Sequence, residues 1–254
     1  MVTLQFDRVS ARYGRRTILS GISTPVFEGG QVVALLGPNA AGKPTLFRRM
    51  FGLLKGEGAV RITGARTARP IGYMPQDTGA GAALTVYEAV LLARMQGRRL
   101  TVAREDLTEV ERTLDFLAIA GLGPRDMADL SGGQRQLVGA AQAIVQDPEV
   151  LLLDEPTSAL DLHRQVALLT ILRRLATERG VLVMAALHNL GHALRFTDRA
   201  MVLRNGTLVA CGETRGVVTP ALLRDVWGID ARIEPCTRGH RQIIVDGVAC
   251  QEDP

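Results

Sequence analysis

Residues Gln31–Leu36 place five aliphatic side chains in succession and run straight into Gly37-Pro38-Asn39-Ala40-Ala41-Gly42-Lys43. An unbroken apolar run is what a strand covered on both faces requires. The residues from about Lys43 to Leu53 read as a helix. A glycine-rich loop between a buried strand and a helix constrains the chain to an α/β arrangement. It is also the context in which backbone N–H groups and a helix N-terminus converge on an anion, with a lysine adding a mobile positive charge. An ordinary β–α turn would use the same glycines. The position after Lys43, where such loops usually carry a hydroxyl, is Pro44, and Thr45 follows.

The remaining pattern extends this reading. Leu4–Val9 and Thr17–Leu19 read as strands with Tyr13-Gly14 between them, Gly29-Gly30 as a turn, and Val60–Thr63 and Ile71–Met74 as further short strands. From Leu84 to Met95 and from Arg104 to Ile119 the apolar residues recur at helical spacing, and another helix opens near Ser131 and ends before Asp147-Pro148. Strands then alternate with helices again: Val150–Leu153, a helix at Leu162–Glu178 closed by Gly180, Val181–Leu187, and a short helix to about Phe196. Ala200–Leu203 and Thr207–Cys211 form a hairpin across Asn205-Gly206. The tail after Thr214 reads as short helices with a strand at Gln242–Val245. This predicts an α/β fold with a mostly parallel sheet, an N-terminal antiparallel part, a core of residues 1–79 and 147–254, and an inserted helical subdomain at 80–146.

Two further segments carry chemistry. Val150–Leu153 is an apolar strand ending in Asp154-Glu155. One carboxylate at that place can hold Mg²⁺, and the next can orient or deprotonate an attacking water. Ser131-Gly132-Gly133-Gln134-Arg135-Gln136 opens a helix with a hydroxyl and unpaired N–H groups, which is an anion site or a plain N-cap.

The ordered set of motifs resembles the ATP-binding cassette (ABC) ATPases, in particular the ATP-hydrolysing subunits of transporters, over nearly the whole chain. Residues Gly37–Thr45 match the Walker A loop imperfectly; Gln76, within Tyr73-Met74-Pro75-Gln76-Asp77, matches the Q-loop; Ser131–Gln136 matches the signature. Asp154 and Glu155 match Walker B, Ser158-Ala159-Leu160-Asp161 the D-loop, and His188 the H-loop. The resemblance implies a phosphate-loop NTPase core with ATP and Mg²⁺ as cofactors. Tyr13 would stack on adenine, and Gly37, Pro38, Asn39, Ala40, Ala41, Gly42, Lys43, Pro44 and Thr45 would surround the phosphates. Gln76 and Asp154 would serve the metal, Glu155 the water, and His188 the γ-phosphate. Ser131, Gly132, Gly133 and Gln134, with Asp161, would serve the nucleotide of a second subunit in a head-to-tail dimer.

His188-Asn189-Leu190, the stretch Ala193–Arg199, and Thr219–Asp230 resemble importers of iron-siderophore, haem or cobalamin. This implies membrane permease subunits and an external substrate-binding protein as partners, and a peripheral place on the cytoplasmic side of the membrane. Two other readings share the motifs: a non-transport ABC ATPase, which long coiled-coil arms would normally interrupt, and a weakly hydrolysing scaffold subunit, which Pro44 favours.

Composition narrows the classes. With 30 Lys+Arg against 26 Asp+Glu the net charge is +4, and only 4% of residues are aromatic, so a stacking surface for nucleic acid is not expected. The start MVTLQFDRVS has no apolar core of a signal peptide. The three cysteines, Cys211, Cys236 and Cys250, form no C-x-x-C pair. Arg98-Arg99 and Arg173-Arg174 read as solvated faces.

Overall fold

The computed structural model describes residues 1–76, 83–96 and 101–249; the expectations for Asp77, the 79/80 boundary, Arg98-Arg99 and Cys250 lie outside the described residues. Its centre is a six-stranded sheet in the order β11-β10-β5-β9-β8-β7. The strands are β5 (Val32–Leu36), β7 (Ile71–Met74), β8 (Val150–Leu153), β9 (Leu182–Ala186), β10 (Arg199–Arg204) and β11 (Thr207–Glu213). Five of them run parallel, with Leu35 opposite Ala186, Leu153 opposite Ala185, Met74 opposite Leu153 and Ala200 opposite Ala34. Only β11 is antiparallel, returning from β10 through Asn205 and Gly206, both at positive φ (49° and 76°) as a two-residue hairpin turn demands.

The apolar runs of β5, β8 and β9 are continuous because these strands are covered on both faces. Val32, Ala34 and Leu36 belong to one core with Leu151, Leu153, Val183 and Ala185; the alternate residues Val33 and Leu35 belong to another with Leu152, Met184 and Met201. The first core packs under α4 (Gly132–Ile144) and α5 (Leu162–Arg179), and reaches α2 (Val86–Met95) and α3 (Arg104–Phe116). The second lies against α1 (Lys43–Met50) and the N-terminal strands. Those are β1 (Thr3–Asp7), β2 (Val9–Tyr13), β3 (Arg16–Ile22), the two-residue β4 (Phe27–Glu28) and β6 (Ala59–Thr63). All their pairings are antiparallel: β4-β1-β6 and β2-β3. Between Met74 and Val150 every described element is helical apart from an isolated bridge between Thr85 and Asp126.

Several expected boundaries shift. The expected strand Leu4–Val9 is broken at Arg8, whose φ of 50° ends β1 and starts β2. Helix α1 stops at Met50 rather than Leu53, because Gly52 takes φ 83° and the chain turns. The single strand expected in the tail is half of a hairpin: β12 (Ile229–Pro235) pairs with β13 (Arg241–Val248), next to α6 (Leu190–Phe196) and after the short α7 (Thr214–Val217) and α8 (Pro220–Trp227). Arg173 is not simply a solvated face. It pairs with Asp198, whose Oδ2 also accepts from Val32 N at 2.9 Å and so ties α5 to the start of β5. Arg174 bonds Glu178 at 3.0 Å and covers the Phe116 ring. Among the described residues no helix is long and apolar enough to cross a membrane.

Candidate nucleotide site

Four adjacent parallel strands, β5, β9, β8 and β7, deliver four loops to one edge of the sheet. The loop after β5 carries Gly37–Lys43, the one after β9 carries His188, the one after β8 Asp154 and Glu155, and the one after β7 Gln76. Ligands of open α/β sheets bind outside the carboxyl ends of their strands. Residues far apart in sequence, from Lys43 to His188, meet here for that reason. A cavity of about 650 Å³ is lined by Asn39–Thr45, Gln76, Glu155 and His188.

The loop geometry follows from two glycines. Gly37 sits at φ 145°, and a Cβ there would lie 2.2 Å from the Leu203 carbonyl; Gly42 sits at φ 101°, and a Cβ would meet Leu19 at 2.7 Å. Ala40 occupies the left-handed region at φ 62° without being glycine, which strains it. Lys43 is buried, and its Nζ donates to the carbonyls of Gly37 (2.8 Å) and Pro38 (3.2 Å), which centres the ammonium on the curve of the loop. Burial lowers its pKa, against the opposing fields of Glu155 and Asp154. Pro44 lies in the first turn of α1, where its fixed φ fits and no helical N–H is needed.

Asp154 is 1% exposed, and burial, with the neighbouring Glu155 charge, pushes its carboxyl up to about 6. Its Oδ1 is buried with no hydrogen-bond partner. A buried carboxylate oxygen without a partner, whose charge burial disfavours, is what a cation would satisfy, so the residues fit Mg²⁺. Among the described residues no group of three His, Cys, Asp or Glu could hold a metal. The other ligands of such an ion would therefore come from phosphate oxygens, Gln76 and a hydroxyl such as that of Thr45.

Glu155 sits at φ 53°, a strained position of the kind that clusters at functional sites. The strain is held from both ends. Its carboxylate is gripped by His188 Nε2 on Oε1 (2.5 Å) and by Gln76 Nε2 on Oε2 (3.0 Å). Its carbonyl accepts from Gln136 Nε2 at 2.6 Å and Ser158 Oγ at 3.1 Å.

The signature residues stand outside this cavity. Ser131 caps α4: its hydroxyl accepts from Gln134 N (3.3 Å) while Gln134 Oε1 accepts from Ser131 N (2.9 Å). Asp161 caps α5 by accepting from Arg164 N at 2.8 Å. Tyr13 is exposed at the end of β2, with its hydroxyl 3.4 Å from Arg48. Sequence reasoning missed Arg16 and Ile18, which line the cavity from β3, because nothing in their local pattern sets them apart from other strand residues. It quoted Gln136 only as part of a string. Five residues beyond the N-cap Ser131, that side chain turns inward and joins α4 to the Glu155 turn and to Ala159 N (2.9 Å).

Fold and site together define a phosphate-loop nucleotide-binding domain. The chain belongs to the ABC transporter family, whose profile matches residues 19–158, as an ATP-binding cassette ATPase. It is 33% identical over 254 residues to the iron(3+)-hydroxamate import ATP-binding protein FhuC of Bacillus subtilis, covering 96% of this chain and 94% of the relative. Among solved structures, a transporter assigned to the metal-chelate ABC type, in an inward-facing conformation, superposes with a TM-score of 0.85 at 25% identity, covering 96% of this chain and 98% of the other. The cassette MJ0796, solved as a dimer bound to ADP and Pi, superposes with a TM-score of 0.75 at 25% identity, covering 84% and 99%.

Proposed function

We propose that the chain is the ATP-hydrolysing subunit of an importer of metal chelates, an iron complex or a haem or cobalamin, at the cytoplasmic side of the membrane. In this reading two copies pair head to tail beneath permease subunits, and an external substrate-binding protein delivers the cargo. Residues 1–79 and 147–254 form the nucleotide-binding core, and 80–146 form a helical subdomain facing the permease. The similarity to FhuC and to the metal-chelate transporter supports the cargo class, and the dimeric MJ0796 structure supports the pairing.

The observation that carries hydrolysis is the Glu155 carboxylate, held between His188 and Gln76 at the mouth of the Lys43 loop. With ATP bound, Lys43 Nζ turns from the two carbonyls to the β- and γ-phosphates, and Tyr13 stacks on adenine. Asp154 and Gln76 would hold Mg²⁺, which would neutralise phosphate charge during hydrolysis. Glu155 orients the attacking water and accepts its proton, while His188 fixes Glu155 and faces the γ-phosphate. The signature residues Ser131–Gln134 meet the partner copy's nucleotide, their N–H groups at the α4 N-terminus serving an anion. Asp161 lies on the loop that crosses to that partner.

Pro44 favours a second reading, a nucleotide-binding scaffold subunit with slow turnover, because it brings neither hydroxyl nor N–H to the cavity it lines. Steady-state ATP hydrolysis by Glu155→Gln separates the two. A general base contributes roughly 10²–10⁴ in rate, so turnover should fall by that factor while ATP binding stays. Turnover that is slow in the wild type and unchanged in the variant would leave the scaffold reading.

A further inference from the structure

Beside the nucleotide cavity lies a second one, of about 730 Å³, between α6 and the β12–β13 hairpin. Its size falls in the range of small-molecule sites. Its lining includes Arg195 and His192 of α6, Arg238 and His240 of the hairpin turn, and Arg241 of β13, and it shares His188 with the nucleotide site. We propose that this cavity is a binding site for a small multivalent anion, carboxylate or phosphate in kind, and that His188 couples it to the nucleotide site.

The charge pattern carries the inference. Among the described residues that line the cavity, none is acidic. The carboxylates of the hairpin are engaged elsewhere: Asp230 accepts from Arg224 at 2.8 Å, and Glu234 and Asp246 from Arg232 at 2.6 and 3.2 Å. Arg195, Arg238 and Arg241 therefore line one concave wall with no acidic residue among its described lining, and field lines in such a concavity focus on an anion. Guanidinium forks also match carboxylate and phosphate oxygens. Two of the three rest on neighbouring groups: Arg195 lies over the Phe196 ring at 5.5 Å, and Arg241 Nη1 donates to the Arg215 carbonyl at 2.8 Å. His192 is 8% exposed, and its buried Nδ1 meets no protein partner.

His188 lines both cavities, and its Nε2 holds the Glu155 carboxylate. An anion that draws the imidazole toward Arg238 and His240 loosens that hold. By linkage, nucleotide binding then changes the affinity for the anion by the same factor as the reverse.

Isothermal titration tests the site on the full chain carrying Lys43→Ala, which disables the phosphate loop as a competing anion site. Tricarballylate and inorganic pyrophosphate are titrated separately. At least one should bind with one-to-one stoichiometry, and which one does identifies the anion as carboxylate or phosphate in kind. Adding Arg238→Glu and His240→Ala, both on exposed residues of the turn, should weaken that binding at least about tenfold. Failure of both anions to bind, or binding that survives the added substitutions, overturns the site. Coupling is read in the otherwise wild-type chain as ADP affinity without divalent metal, with and without the anion that binds. A shift of about fivefold or more is expected, of which the coupled part disappears in Arg238→Glu/His240→Ala. A shift of equal size in both proteins reports competition at the phosphate loop and overturns the coupling, as does no shift.

Discussion

Pro44 and Asp154 show how single residues set the working range of this site. Proline at the second helical position leaves α1 intact, so its consequence is chemical rather than structural. A hydrogen bond to a charged group is worth about 1.5–3 kcal/mol, so Pro44→Ser should tighten Mg²⁺-dependent ATP binding roughly ten- to a hundredfold. Titration of ATP with and without Mg²⁺ for both proteins checks this, and equal affinities would show that Thr45 or the loop amides already supply what proline lacks. Asp154 has a folded pKa raised to about 6 by burial and by Glu155. A raised carboxyl contributes stability that is full below its unfolded pKa and is lost as pH rises through the folded one. In nucleotide-free protein, Asp154→Asn should therefore gain on the wild type between about pH 4 and pH 6, by on the order of 2–3 kcal/mol. Urea unfolding of both proteins across that range measures the difference, and a difference independent of pH would refute the assignment.

Helix α4 illustrates how an element answers to its neighbours. Its capping box of Ser131 and Gln134 is readable from sequence spacing, but its glycines are not equivalent, which spacing does not reveal. A Cβ on Gly133 would lie 2.8 Å from the Ala159 carbonyl, whereas one on Gly132 would meet only Ala159 Cβ at 3.7 Å. Gly133→Ala should cost about 1–3 kcal/mol as overpacking, and should shift the Glu155 turn that Gln136 holds. Gly132→Ala should be close to neutral in stability. Thermal melting of the two variants distinguishes them, and equal midpoints would mean that the loop after β8 yields freely. Ile71–Met74 and Val150–Leu153 match their observed bounds; the second does so because a parallel strand covered on both faces needs an unbroken apolar run, whereas the first is a half-buried edge strand. The tail was read less well, since β12 alternates weakly with charged residues and its partner strand decides its extent.

At the scale of the whole molecule, the signature residues are used for capping and face no phosphate loop of their own chain, which gives the pairing of copies a direct test. If copies pair head to tail as proposed, subunits carrying Lys43→Ala mixed with subunits carrying Ser131→Arg would give dimers with one site doubly damaged and the other spared. Those mixtures should recover part of the ATP turnover that each parent lacks, and inactivity of every mixture with dimers verified by sedimentation would argue against shared sites. The sequence by itself determined the strand–loop–helix at Lys43, the carboxylates after β8, the order of the motifs and the alternation that makes a parallel sheet. Each of these depends on neighbours close in the chain, on periodicity or on a turn. Only the tertiary structure decided that β5, β9, β8 and β7 lie side by side, which brings Lys43, His188, Glu155 and Gln76 to one cavity. It also decided that Gln136 supports Glu155, that Arg16 faces the cavity, and that α6 and the terminal hairpin enclose a cationic one. Those placements rest on strand order and on long-range packing, which a local pattern does not encode.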